Sequence, residues 1–120
     1  MKDNIVQNKT YHFSLRIIEF YKHLVEEKKE FILSKQILRS GTSIGANVEE
    51  ALGAYSKKDF LSKITISYKE ARETHYWLRL LKDSFIVENK LAESIIRDCL
   101  EILRIIGSIQ RTLKAELYSN

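Results

Sequence analysis

A catalytic or metal centre in this chain would have to be assembled from His12, His23, His75, Cys99 and scattered carboxylates. Di-metal sites in helical bundles draw a Glu-x-x-His motif from each of two helices, because residues three apart share a helix face. Here Glu70 and Glu73 are followed three residues on by Glu73 and Tyr76, so neither motif is completed. His75 falls on the apolar stripe of its own segment and reads as a satisfied bundle histidine. Cys99 lies on another apolar stripe and reads as inert packing. The chain has no P-loop, dinucleotide fingerprint, His-Glu-x-x-His or nucleophile elbow. No catalytic residue, metal ligand or cofactor is expected, and the protein reads as non-enzymatic.

A more regular pattern is basic. Lys90, Arg97, Arg104 and Arg111 recur every seven residues, with Lys114 beside the last of them. On a helix they form a row with steps of roughly 10 Å. Such a row can track a phosphate backbone, and several copies would multiply it into a belt. The competing reading is a solvated face, since Glu93 and Glu101 each lie four residues from Arg97 and are placed to pair with it.

The stretch "LRSGTSIGANVEEA", residues 38 to 51, places two glycines and several polar residues in a segment whose apolar spacing is helical. On a helical wheel centred on Ile44, the residues Ile37, Val48, Ala51 and Tyr55 lie within about 40° and face the core. Gly41 and Gly45 lie on one flank, one turn apart. Each glycine costs about 1 kcal/mol relative to alanine inside a helix, so the pair implies a close approach by another helix. The opposite flank is a polar edge with Arg39, Ser40, Ser43, Asn47 and Glu50. Its hydroxyls and amide can bond within the bundle while Arg39 pairs with a carboxylate; the same groups can instead face a ligand, RNA or another subunit.

A third segment, "YKEARETHYWLRLL" at 68 to 81, supplies the counterpart. Away from its core stripe of Phe60, Ile64, Tyr68, Ala71, His75 and Leu78, a second face gathers Ile66, Trp77 and Leu81 around Glu70. A monomeric bundle helix needs one apolar stripe, so this second face is expected to be an interface between copies. Glu70 or Glu73 is expected to meet Arg39 across helices or subunits.

The elements that position these residues follow from periodicity and punctuation. Phe13, Ile17, Phe20, Tyr21 and Leu24 mark a first helix over about residues 8 to 27. The second spans about 32 to 54, and the third about 57 to 84 with Ser56 as N-cap and Asp59 three residues on. Leu91, Ile95, Cys99, Ile102, Ile106, Ile109 and Leu113 carry a fourth over about 89 to 117. Proline is absent where average usage of about 5% gives roughly six, so helices can run long. The expected fold is all-α, an up-down-up-down antiparallel four-helix bundle forming one domain over residues 1 to 120.

The lone cysteine excludes an intrachain disulfide, and the N-terminus lacks the apolar core of a secretion signal, so the cytoplasm is expected. With 30% charged residues and no long uncharged apolar run, no membrane association is expected. The net charge of +4 permits an anionic partner without demanding one.

Arg39-Ser40, Ser43-Ile44, Asn47, the acidic pair Glu49 and Glu50, and then Glu70 and Glu73 form a signature. It resembles the 23S rRNA intervening-sequence protein family, four-helix bundles encoded within bacterial large-subunit ribosomal RNA genes. The resemblance covers nearly the whole chain. Many members have Ala-Glu-Gly after the asparagine, where this chain has "VEEALG". The resemblance implies a short bundle that assembles into a ring, a pentamer. It also implies kinship with accessory proteins of retroelement reverse transcriptases, whose basic ring surface engages RNA and enzyme. It carries no catalytic residues. The functional expectation is a homo-oligomeric bundle that binds structured RNA or a ribonucleoprotein through Lys90, Arg97, Arg104, Arg111 and Lys114. The alternative is a protein-protein scaffold using the polar edge, without nucleic acid.

Overall fold

A computed structural model describes residues 4–118, and among these every regular element is a helix: α1 (Ile5–Glu26), α2 (Leu33–Leu52), α3 (Lys57–Asp83) and α4 (Asn89–Tyr118). Helix α1 begins three residues earlier than the periodicity suggests. Asn4 offers its carbonyl to Asn8 N at 3.1 Å, and the Thr10 hydroxyl bonds back to Val6 O at 2.8 Å. The start of α2 is capped by Glu30, whose carboxylate accepts from the amides of Ser34 at 2.7 Å and Leu33 at 3.0 Å. Ser56 caps α3 as the sequence suggests, its hydroxyl accepting from Asp59 N at 3.0 Å. Two turns lack glycine at a left-handed position, so Lys29 (φ 55°) and Phe85 (φ 61°) occupy it instead. Gly53 ends α2, which leaves Tyr55 beyond the helix and 91% exposed; the expectation that it faces the core is wrong.

Cross-helix contacts fix the topology. Gln7 meets Glu49 and Ile17 meets Gly41; Ser67 meets Ile44 and Thr74 meets Ser40; Ala71 meets Cys99 and Thr65 meets Gln110. In each series the number rises on one helix as it falls on the next, so neighbours run antiparallel. Lys9 to Glu101 and Arg16 to Asp98 close α4 back onto α1. The result is an up-down-up-down four-helix bundle, a rod of 52 × 23 × 22 Å. One continuous core runs through it, with Ile17, Leu24, Ile37, Ile44, Ile64 and Leu78 among its fully buried side chains.

The glycine flank of α2 is where α1 comes closest. A Cβ on Gly41 would lie 2.9 Å from both Cγ1 and Cγ2 of Ile17, and one on Gly45 would lie 3.2 Å from Thr10 O. The poor helix formers of α2 therefore serve contact within the chain: their missing side chains let two backbones approach.

Helix α3 is rotated relative to the expected stripe. Its buried positions are Leu61, Ile64, Ser67, Ala71, Thr74, Leu78 and Leu81. Ser67 donates to Ile44 O at 2.8 Å, and Thr74 Oγ1 lies 2.8 Å from Ser40 Oγ, so two hydroxyl residues occupy the α2 contact. Counting only apolar residues misplaced the centre. As a consequence Leu81, expected on an outer interface, is 0% exposed and belongs to the core. Phe60, Tyr68 and His75 are only half-buried.

Candidate nucleic-acid interface

The polar edge of α2 is largely consumed by the bundle. Arg39 pairs with Glu70 at 3.2 Å through Nη1 and with Glu73 through Nη2. Glu73 also accepts from the Trp77 indole at 3.0 Å. The Arg39 guanidinium holds the Glu73 carboxyl below its ordinary range, against the opposing effect of burial, and the indole adds to the lowering. Ser43 donates to Arg39 O at 2.6 Å, Asn47 donates to Ser43 O at 2.8 Å, and Glu50 pairs with Lys63 at 3.0 Å. Ser40 is fully buried against Thr74. The expected Arg39 bridge thus joins α2 to α3 within one chain. On the outer side of this contact Ile66 is 39% exposed, while Trp77 is half-buried and packs against the core, which leaves Ile66 as the exposed member of the expected second apolar face.

The basic row stands apart. Lys90, Arg97, Arg104, Arg111 and Lys114 are all exposed, and among the described residues none pairs with a carboxylate. The two acidic residues expected to neutralise Arg97 turn elsewhere: Glu93 to Lys82 at 3.3 Å and Glu101 to Lys9 at 3.0 Å. A seven-residue repeat drifts about 20° per step on a straight helix, which carries the row along α4 toward α3. At its far end an Arg111 nitrogen lies within 3.5 Å of where a Cβ on Gly107 would sit, at the position facing Tyr68 of α3.

There the row meets cations that sequence reasoning missed. A groove of about 580 Å³ between α3 and α4 is lined by Arg72, Glu73, His75, Tyr76 and Arg79 from one side and Leu100 and Leu103 from the other. The contacts of Lys82 with Glu93 and Thr65 with Gln110 set the antiparallel register, which brings Arg79 near the level of Arg97 and Arg72 near that of Arg104. Arg72 and Arg79 carry no ion pair among the described residues. The Arg79 guanidinium sits over the Tyr76 ring, 5.8 Å from its centroid. Burial, then Arg79 and Arg72, push the His75 pKa below its ordinary value, so the ring is neutral at pH 7. His75 is half-buried and makes no hydrogen bond to another group among the described residues. The signal for this groove was present as "Arg-x-x-His-x-x-x-Arg", but it becomes meaningful only once α4 is laid beside it.

The α1/α4 seam provides a contrast. Its cleft, of about 520 Å³, is lined by Lys9, His12, Phe13, Arg16, Asp98 and Glu101 among others. Each cation there has a partner: Lys9 with Glu101, and Arg16 with Asp98 at 2.7 Å and Ser94 Oγ at 2.7 Å. Cys99 lies buried between α3 and α4, donating to Ala71 O at 3.4 Å; burial, with Asp98 adding, pushes its thiol up to about 12. Among the described residues no three His, Cys, Asp or Glu side chains cluster at ligating distance, and no helix is long and apolar enough to cross a membrane.

No curated protein matches this chain. A solved structure described as a protein of unknown function from the S23 ribosomal protein family of Bacteroides thetaiotaomicron is 51% identical and superposes with a TM-score of 0.89, covering 92% of this chain and 99% of that one. The family model described as 23S rRNA-intervening sequence protein matches residues 2–108. A match of that extent, together with the antiparallel bundle and the Arg39 to Glu70 and Glu73 bridge built from the signature residues, places the protein in the 23S rRNA-intervening sequence protein family.

Proposed function

We propose that the protein is a non-catalytic, cytoplasmic, homo-oligomeric bundle that binds structured RNA or a ribonucleoprotein through the basic surface of α3 and α4. The observation that carries this reading is the uneven pairing of charge. The cations of the α1/α4 seam are matched by carboxylates, while Arg97, Arg104 and Arg111 of α4 and Arg72 and Arg79 of α3 are left without partners among the described residues. Concentrated like charge raises self-repulsion, and a regularly spaced row of it suits a phosphate backbone. Assembly of several copies is supported by the apolar side chains that remain exposed, Ile66 on α3 and the stripe Tyr11, Leu15 and Ile18 on α1. A pentameric ring, as the family resemblance implies, would set copies of the row side by side.

The test is retention of a structured RNA on a filter as salt is raised. Log affinity should fall linearly with log salt, and Arg97→Glu with Arg104→Glu should abolish retention at moderate salt. Retention unchanged by these reversals removes the row from the interface. A partner held equally at low and high salt would favour the scaffold reading instead, because burial of apolar surface is not screened.

A further inference from the structure

The geometry points to the α3/α4 groove as a pocket for a single unpaired nucleotide, with a base against Tyr76 and its phosphate between Arg72 and Arg79. This deepens the RNA-binding reading and rests on it: it states that the protein distinguishes single-stranded or looped RNA from a continuous duplex. The α4 row alone offers no such distinction, since a line of cations attracts any phosphate backbone.

Four observations carry the assignment. The groove has a volume of about 580 Å³, within the roughly 300–1,000 Å³ typical of small-ligand sites. Its walls divide by chemistry: Leu100 and Leu103 form an apolar side, whereas Arg72 and Arg79, one turn either side of His75, supply positive charge. Tyr76 presents a ring that is 48% exposed, braced edge-on by Trp77 at 5.2 Å between centroids with the planes at 62°, so it is held while remaining open to solvent. Arg79 lies over that ring, and guanidinium planes and aromatic faces are the two surfaces on which unpaired bases stack. A duplex hides its base faces, so it can meet the guanidinium groups but not the ring.

The acidic group in the lining does not cancel the site. Glu73 Oε2 is held by Arg39 and by the Trp77 indole; Arg39 also holds Glu70, so this cluster keeps one net negative charge against the two positive charges of Arg72 and Arg79. The acidic residues flanking the apolar wall, Asp98 and Glu101, pair with Arg16 and Lys9 of α1. The groove around His75 is thus lined by Arg72, Glu73, Tyr76 and Arg79 from α3 and by uncharged leucines from α4, and the charges that act on the His75 ring are those of Arg79 and Arg72. Burial comes first in lowering the His75 pKa, and Arg79 and Arg72 add to it; a phosphate arriving between the two arginines would offset their part and pair with the imidazolium, so binding should tighten as pH falls below the ordinary histidine range.

The experiment compares a short single-stranded oligouridylate with a perfectly paired RNA duplex of equal length, using quenching of the single tryptophan, Trp77, and filter retention as readouts. The single strand should quench Trp77 and bind more tightly at pH 5.5 than at pH 7.5, to an extent that His75→Gln removes. Tyr76→Leu should weaken the single strand by about 5- to 150-fold, the equivalent of one stacked base, and leave the duplex unchanged; Tyr76→Phe, which keeps the ring, should restore affinity. Equal loss for both probes, or no loss for either, overturns the nucleotide pocket while leaving the phosphate row intact. Absence of salt-dependent binding of either probe overturns the RNA reading itself.

Discussion

Alanine at Gly41 tests how tightly α1 and α2 are drawn together. The new Cβ would sit 2.9 Å from two carbons of Ile17, well inside the ordinary 3.5–4.0 Å separation. Ile17 cannot move aside easily, because it is fully buried and its β-branch leaves one strongly preferred rotamer in a helix. Overpacking of this kind costs about 1–3 kcal/mol, against about 1 kcal/mol that alanine gains over glycine in helix propensity. The same substitution at Gly53 is the control. That residue is exposed at the end of α2 with φ −95°, and its Cβ would meet only Glu50 O at 3.7 Å, so alanine there should be neutral or stabilise by up to about 1 kcal/mol. Urea unfolding at one fixed protein concentration should separate the two variants by up to about 3 kcal/mol, with Gly41→Ala the weaker. In an Ile17→Leu background, which removes one of the two opposing carbons, the penalty at Gly41 should shrink. Equal stability of Gly41→Ala and Gly53→Ala would refute the close approach.

Acid titration of Trp77 fluorescence should show a transition below the ordinary carboxylate value of 4.5, reporting protonation of Glu73 beneath its indole. Because the folded pKa is depressed, the stability from the Arg39 bridge is present above that value and lost as pH falls through the folded pKa; Glu73→Gln should erase the step, and a midpoint at or above 4.5 would contradict it. Ser34→Ala should raise stability by about 1 kcal/mol in thermal melting, since the Ser34 hydroxyl is fully buried without a hydrogen-bond partner among the described residues. Cys99 should resist a thiol reagent at pH 8 in the folded protein and react on unfolding, because burial holds its thiol up near 12; rapid labelling of the native state would refute that environment.

Periodicity located the four helices because each apolar stripe is long and uninterrupted by proline. It failed where burial is polar. Ser67 and Thr74 are buried because each hydroxyl finds an acceptor across or along the helix, and no hydropathy count assigns them to a core. That error turned α3 away from its true orientation and put Leu81 on the outside. The glycine pair was legible because two costly residues one turn apart imply a reason, although the identity of the helix that fills the space was not. The Arg39 bridge was legible from Glu70 amid apolar residues. Glu30 as the cap of α2 was not, because it stands three residues before Leu33 in a charge-rich turn that offers several acidic candidates. The groove was missed because each of its walls is unremarkable alone: Arg72 and Arg79 belong to an ordinary charged face until Leu100 and Leu103 are set beside them.

The two unusual features of the sequence thus play opposite parts. The weak helix formers of α2 look like a site and are mostly spent on packing: glycines against α1, serines and asparagine on neighbouring carbonyls and hydroxyls, Arg39 on two carboxylates. The heptad of basic residues on α4 looks like an ordinary salt-bridged surface, yet Glu93 and Glu101, the carboxylates spaced to neutralise Arg97, are taken by Lys82 and Lys9. Both outcomes follow from one constraint. A bundle joined through its seams uses polar residues near the helix contacts to hold neighbours together, so acidic groups on α4 are drawn inward to α1 and α3. Arg97, Arg104 and Arg111 on the outward face of α4 keep no partner among the described residues. Positive charge left outside in this way repels itself, and the surface that bears it gains most from an external anion.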